Sequence, residues 1–237
     1  CLAITRAVES MGLHADMTAG LSLGEYCAIA VAGGMCDLDA IRTVRSRGIF
    51  MEHAAPEGSG AMSAVLGMDA AVIENVLNGR EGVSIANYNC PGQIVITGEA
   101  AAVAEAGTAL KEAGARRVLP LKVSGPFHSP MMRPAGEELA KVFARVSMNP
   151  LKIPYVANIN AEVITDCGRI EGLLVEQVSG SVRWQQSVET MIREWVDTFV
   201  EIGPGKTLTG FLRKIDKNVK AYHIGSWEEA VQVCDCL

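Results

Sequence analysis

Ile4, Ala7, Val8 and Met11 recur at three- and four-residue spacing, which predicts a helix at the start of the chain. His14 to Ala19 is a short apolar run and reads as a strand; Glu25 to Ala32 reads as a helix ended by Gly33-Gly34. Asp37 is the expected N-cap of the next helix, with Ile41, Val44, Gly48 and Met51 on one face. Pro56-Glu57-Gly58-Ser59-Gly60 reads as a linker, and after it the period changes. Strands are expected at 61–66, 83–86, 94–97 and 117–123, with helices at 70–77 and 101–113. That order is β-α-β-β-α-β, the order of a ferredoxin-like unit, which we place at 60–122 as a small subdomain. Asn87–Gln93 between its middle strands reads as a turn.

The remainder, 1–59 and 123–237, alternates strands and helices. One helix carries Leu139, Val142, Phe143 and Val146, and residues 153–156 form a strand. A second helix carries Val188, Met191, Ile192 and Trp195. A strand at 198–202 then enters Gly203-Pro204-Gly205-Lys206 and a helix with Leu208, Phe211, Leu212 and Ile215. Such alternation predicts a mainly parallel sheet, so the fold class is α/β, a larger parallel-sheet domain interrupted by the smaller unit. The Gly-Pro-Gly-Lys turn fits neither nucleotide-loop spacing and reads as packing.

Composition narrows this picture only in places. The 237 residues are 49% hydrophobic and 20% charged, enough for a sizeable core. The net charge of −6 argues against general nucleic-acid binding, and no apolar run reaches the length of a membrane span. Seven cysteines are scattered without a C-x-x-C pair, so neither a zinc site nor a redox dithiol is expected. Reduced thiols point to a cytoplasmic setting.

Candidate chemistry centres on Gly20-Leu21-Ser22-Leu23-Gly24, a G-x-S-x-G pentapeptide between the first expected strand and the next helix. In a nucleophile elbow, of the α/β-hydrolase kind, the serine stands at the tip of a tight strand-to-helix turn. Flanking glycines relieve clashes, and backbone amides at Ser22 and Leu23 can bind an oxyanion. A plain Gly-Ser turn fits the pentapeptide equally well. A serine nucleophile needs a base, and of His14, His53, His128 and His223 only His128 lies in a Pro/Gly-flanked loop just after an expected strand. No acidic residue stands in an obvious Ser…Asp…His order, which suits a Ser-His dyad with a carbonyl in the acid's place.

The stretches GLSLGEYCA, RSRGIFM, SGPFHSPMM and VEIGPGKTLTGFLRK, in that order, resemble bacterial malonyl-CoA:acyl carrier protein transacylases and the related acyltransferase domains of polyketide synthases. The resemblance runs over essentially the whole chain. It implies malonyl transfer from coenzyme A to the phosphopantetheine thiol of acyl carrier protein, through a malonyl ester on Ser22 with His128 as base. It further implies that Arg47 holds the substrate carboxylate, that the Gln177 backbone carbonyl accepts from the histidine, and that Phe127 restricts the acyl pocket. No metal or organic cofactor is implied; coenzyme A enters as the thioester substrate. Two departures stand out. Leu21 replaces the histidine usual before the serine. The family's opening strand and Gly/Gln-rich loop are missing before Cys1, so we expect a chain short of roughly a quarter of the family's length. A serine esterase or thioesterase, or a catalytically impaired carrier-binding fragment, is the alternative. Two basic clusters are candidate docking surfaces for an acidic carrier: Lys206, Arg213, Lys214, Lys217 and Lys220, and Lys111, Arg116, Arg117 and Lys122.

Overall fold

The computed structural model describes residues 1–237. Helix α1 (Leu2–Ser10) leads to the two-residue strand β1 (Thr18–Ala19), then α2 (Gly24–Val31) and the long α3 (Asp37–His53). The small unit contains β2 (Gly60–Leu66), α4 (Ala70–Leu77), β3 (Val83–Cys90), β4 (Gln93–Glu99), α5 (Ala100–Glu112) and β5 (Arg117–Pro120). The chain continues with α6 (Arg133–Phe143), β6 (Tyr155–Val156), β7 (Val163–Ile164), α7 (Ile170–Ser179) and α8 (Trp184–Arg193). It closes with β8 (Thr198–Ile202), α9 (Thr207–Ile215), β9 (Lys220–Ile224) and α10 (Trp227–Cys234).

The small sheet runs β3-β4-β2-β5 in space, with every neighbouring pair antiparallel. This is the ferredoxin-like arrangement that the element order predicts. Alternate residues face opposite ways. Val65, Ile85 and Ile96 pack under α4 and α5 with Ile73, Val103 and Leu110. Met62, Ala86 and Val95 face the other side and pack against Phe127. The hairpin strands run further than the pattern suggests, and only Pro91-Gly92 turns. Gly92 supplies the positive φ (72°) that the tight connection needs. β5 stops at Pro120, short of the expected Val123. Leu121 to Val123 leave the ladder and reach the cleft wall, although the Leu121 N–H still donates to Met62 O (2.9 Å).

The larger part holds two separate sheets. β1 pairs parallel with β6, β6 pairs antiparallel with β7, and β8 pairs parallel with β9. Tyr26, Ile29, Leu139, Phe143, Tyr155 and Leu174 make one dense core between α2, α6, α7 and β6. Full burial of such a side chain contributes about 1.5–3 kcal/mol. Three details depart from the sequence pattern. The first α3 turn is capped by Cys36, whose Sγ accepts from Asp39 N (3.4 Å), while Asp37 pairs with Arg6 (2.6 Å). α8 ends at Arg193, so Trp195 lies outside it, 93% exposed, rather than on its apolar face. α7, α10, β7 and β9 add to the expected elements, although Ile170, Leu173, Leu174 and Val178 of α7 do recur at helical spacing. No helix is long and apolar enough to cross a membrane.

The two parts meet at a seam. Ser181–Val182, just past α7, lie along β3: Tyr88 N donates to Val182 O (2.9 Å) and Val182 N to Ala86 O (2.8 Å). The end of α7 is thereby tied to the edge of the small sheet, beside the residues described next.

Candidate active site

β1 turns into α2 through Gly20–Leu23, and the turn is a tight one. A side chain at Gly20 would come within 2.1 Å of the Gly24 carbonyl, so only glycine fits there. At Gly24 a Cβ would meet open space, so its place in the pentapeptide is not a steric requirement. Ser22 has φ 52°, a left-handed conformation that costs a non-glycine residue on the order of 1–3 kcal/mol. Asn158 holds the strained tip. Its Oδ1 accepts from Ser22 N (2.6 Å), and its Nδ2 donates to Gly20 O (2.8 Å). The Ser22 amide is thus already occupied and does not serve as the oxyanion donor the motif suggested. The Leu23 N–H, at the start of α2, has no hydrogen-bond partner within the protein and remains available.

His128 sits on the loop before α6, also left-handed (φ 61°) and 5% exposed. Its Nε2 lies 2.7 Å from Ser22 Oγ, and its Nδ1 lies 2.8 Å from Gln177 O. Gln177 is in the last turn of α7, where carbonyls lack helical partners. An Nδ1–H donated to that carbonyl leaves the Nε2 lone pair facing the serine hydroxyl, the tautomer a general base requires. Burial pushes the imidazole down to about 4, with the Arg47 charge acting in the same direction.

Arg47 comes in from α3, buried at 6% exposure. Its Nη2 donates to Ser22 Oγ (3.0 Å) and to Gln177 Oε1 (3.2 Å), while Nη1 is engaged by no hydrogen bond. The guanidinium lies 5.7 Å from the Tyr26 ring centroid, and burial lowers its pKa. A fixed guanidinium beside the nucleophile can hold a carboxylate on the group being transferred. The Gln177 side chain, not singled out from its sequence position, also donates from Nε2 to Ser22 O (2.8 Å) and to Glu25 Oε2 (2.7 Å). Glu25 is 1% exposed and also accepts from Asn158 N at Oε1 (3.2 Å). Burial pushes its carboxyl up to about 8, against the opposing pull of Gln177, Asn158 and Arg47.

These groups open onto a cleft of about 420 Å³ between the two parts. Ser22, Arg47 and His128 line it from the large part, Met62 and Asn87 from the small sheet, and Phe127 beside them. Asn87, expected in a turn, is a strand residue at a register irregularity of β3. Of the residues singled out from the sequence, Ser22, Arg47, Phe127 and His128 line the cleft together, Gln177 reaches it through its bonds to His128 and Arg47, and Leu23 follows Ser22 in the turn. Asn158 and the side chains of Glu25 and Gln177 were missed, because a buried amide or carboxyl carries no spacing signature.

Residues 2–232 match the family described as the acyl transferase domain. A malonyl CoA-acyl carrier protein transacylase of Bacillus subtilis (strain 168) is 44% identical over 231 residues, covering 96% of this chain and 73% of that protein. The protein of the same name from Escherichia coli (strain K12) is 44% identical over 218 residues, 90% of this chain and 71% of that one. The chain belongs to the acyl transferase family of malonyl-CoA:acyl carrier protein transacylases. Family members share the fold in detail. MCAT from Streptococcus pneumoniae superposes with a TM-score of 0.95 at 43% identity, covering all of this chain and 78% of that one. A malonyl-transacylase solved in complex with a type II PKS acyl-carrier protein superposes at 0.93 with 37% identity, over 100% of this chain and 78% of that one.

The larger basic cluster is less free than its sequence suggests. Lys206 pairs with Glu229 (3.0 Å), Lys214 donates to Gln93 Oε1 (3.3 Å), and Lys220 belongs to β9 rather than α9.

Proposed function

We propose that this acyltransferase moves a malonyl group from malonyl-CoA to the phosphopantetheine thiol of acyl carrier protein, by way of a malonyl ester on Ser22. The reading rests on one observation: the chain Gln177 O, His128, Ser22 Oγ, with the Arg47 guanidinium on the same oxygen. As Ser22 Oγ attacks the thioester carbonyl, its proton passes to His128 Nε2. The Gln177 carbonyl, at the negative end of α7, stabilises the imidazolium that forms. The Leu23 amide binds the oxyanion, and collapse expels the coenzyme A thiolate, which takes the proton from His128. The carrier thiol repeats these steps in reverse order and leaves as the malonyl thioester. Arg47 pairs with the malonyl carboxylate throughout, a group that acetyl lacks. Phe127 and Met62 shape the space beside the acyl group.

The steps need no metal or cofactor, since thioester chemistry supplies the leaving group. A cytoplasmic location fits the seven free thiols. The parts divide as a large acyltransferase domain, 1–59 and 123–237, that carries the chemistry, and a ferredoxin-like subdomain, 60–122, that closes the cleft. Incubation with radiolabelled malonyl-CoA tests the assignment. The protein should become labelled and pass the label to holo-acyl carrier protein, and Ser22→Ala should take no label. Steady hydrolysis without transfer would favour a thioesterase, and a labelled Ser22→Ala would remove Ser22 from its role.

A further inference from the structure

We propose that Glu25 is a positioning residue for recognition of the acyl carboxylate: it fixes which way round the Gln177 amide sits, and through it holds Arg47 beside Ser22. The inference rests on the function proposed above.

The Gln177 amide has two different ends in a crowded, buried place. Its nitrogen end meets two acceptors, Ser22 O at 2.8 Å and Glu25 Oε2 at 2.7 Å. Its oxygen end meets the Arg47 Nη2 donor at 3.2 Å. Turning the amide over would set Oε1 against two oxygens and put an N–H₂ group against the guanidinium. Buried polar groups without partners cost about 1–3 kcal/mol each, so the flipped form is excluded while Glu25 presents an oxygen. Oε2 accepts from Gln177 in the carboxylate, and also in the acid when the proton sits on Oε1, whose remaining lone pair still takes Asn158 N–H. The other oxygen is held by Asn158 N at 3.2 Å, and Asn158 also braces Ser22 N and Gly20 O. Glu25 therefore reads the elbow backbone on one side and sets the arginine on the other.

Glutamine at position 25 has nearly the same shape and cannot perform this task. Pointing its oxygen at Gln177 leaves its N–H₂ against Asn158 N–H. Pointing its N–H₂ at Gln177 sets donor against donor and invites the Gln177 flip. In that flipped form Arg47 loses the acceptor that aims it, whereas His128 keeps the Gln177 backbone carbonyl. A carboxyl that merely supported the start of α2 would behave differently, because its loss would lower stability and affect every substrate alike.

The test compares acylation by malonyl-CoA and acetyl-CoA in the parent, Glu25→Gln, Arg47→Ala and the double variant. Glu25→Gln should lower the malonyl-over-acetyl ratio of kcat/KM about tenfold or more, mainly through a higher KM for malonyl-CoA. In the Arg47→Ala background the same change should alter that ratio less than about twofold, because the two residues act as one unit. Equal losses for both thioesters, or an undiminished effect without Arg47, would overturn the proposal. If Glu25→Gln does not fold, Gln177→Met reads the same link, and an unchanged ratio there would overturn it equally. A parent without malonyl preference would instead sink the proposed function.

Discussion

The two walls of the cleft are built on different principles. On the large-part wall every reacting group is fixed by directed hydrogen bonds among buried atoms: Asn158 to the elbow, Gln177 O to His128, Gln177 Oε1 to Arg47. On the small-part wall, Met62 and Asn87 come from a separate sheet with its own core and make no hydrogen bond to Ser22, Arg47 or His128. Chemistry needs angles and tenths of an ångström, which a desolvated polar network supplies. Acyl selection by shape needs only a surface at the right distance, which packing supplies and which tolerates change. Substitutions on the first wall should therefore alter rate and charge recognition steeply, and those bordering the second should alter selectivity gently.

The largest effect expected is for His128, the proposed base. His128→Ala should slow acylation of Ser22 by about 10²–10⁴-fold, the usual worth of positioned general-base catalysis. Stopped-flow release of coenzyme A checks it, and a loss below tenfold would break the contrast by making the first wall as tolerant as the second.

Arg47→Ala follows. Removing one partner of a desolvated charge pair costs about 2–5 kcal/mol, so malonyl-CoA should lose on the order of 30- to 5 × 10³-fold in kcat/KM. Acetyl-CoA should lose far less. Equal losses would show that Arg47 supports the elbow without reading the carboxylate.

The pH dependence sharpens the same wall. With His128 pushed down to about 4, its base form persists well below neutrality. A neutral serine-reactive phosphonate reports the Ser22-His128 pair without involving the acyl carboxylate. Its labelling rate should fall less than about twofold between pH 7 and pH 5, where an ordinary histidine would lose roughly 20-fold. The linked stability runs the same way. It is complete above the unfolded histidine value near 6.5 and is lost as pH falls toward 4, because the unfolded chain then binds the extra proton.

The smallest effect should come from Phe127, which packs against Met62, Ala86 and Val95 of the small sheet. Phe127→Ser should raise the use of methylmalonyl-CoA relative to malonyl-CoA by a few-fold, about 1 kcal/mol of relieved crowding. Competition between the two thioesters measures it. An unchanged ratio with a lower melting temperature would assign Phe127 to packing alone.

Legibility divides along physical lines. The amphipathic periods of α6 and α9 are local, so burial of one face wrote them into the sequence, and β2 and β4 read as short apolar runs because both faces of their sheet are covered. In α3 the expected face was wrong: Ala40, Thr43, Arg47 and Met51 are buried, while Ile41 is 58% exposed. The elbow and His128 were legible because tight turns demand glycine, proline and small residues at fixed offsets. Trp195 and the Asp37 cap misled because local propensity yielded to tertiary contacts: Asp37 went to Arg6, and α8 stopped at Arg193. β1 and β6 were located within the expected runs 14–19 and 153–156 but are only two residues each, and the equally short β7 left no signal.

The sequence by itself determined the α/β class, the order of the small sheet and the pair Ser22 and His128. Only the tertiary structure decided that the Ser22 amide is taken by Asn158, that Leu23 offers the free N–H, and that Glu25, Gln177 and Arg47 form one hydrogen-bonded chain. The partners in that chain lie more than a hundred residues apart, and nothing local marks a buried amide for its distant acceptor. Their roles arise from desolvation, which makes every unpaired polar atom costly and so dictates which groups must meet.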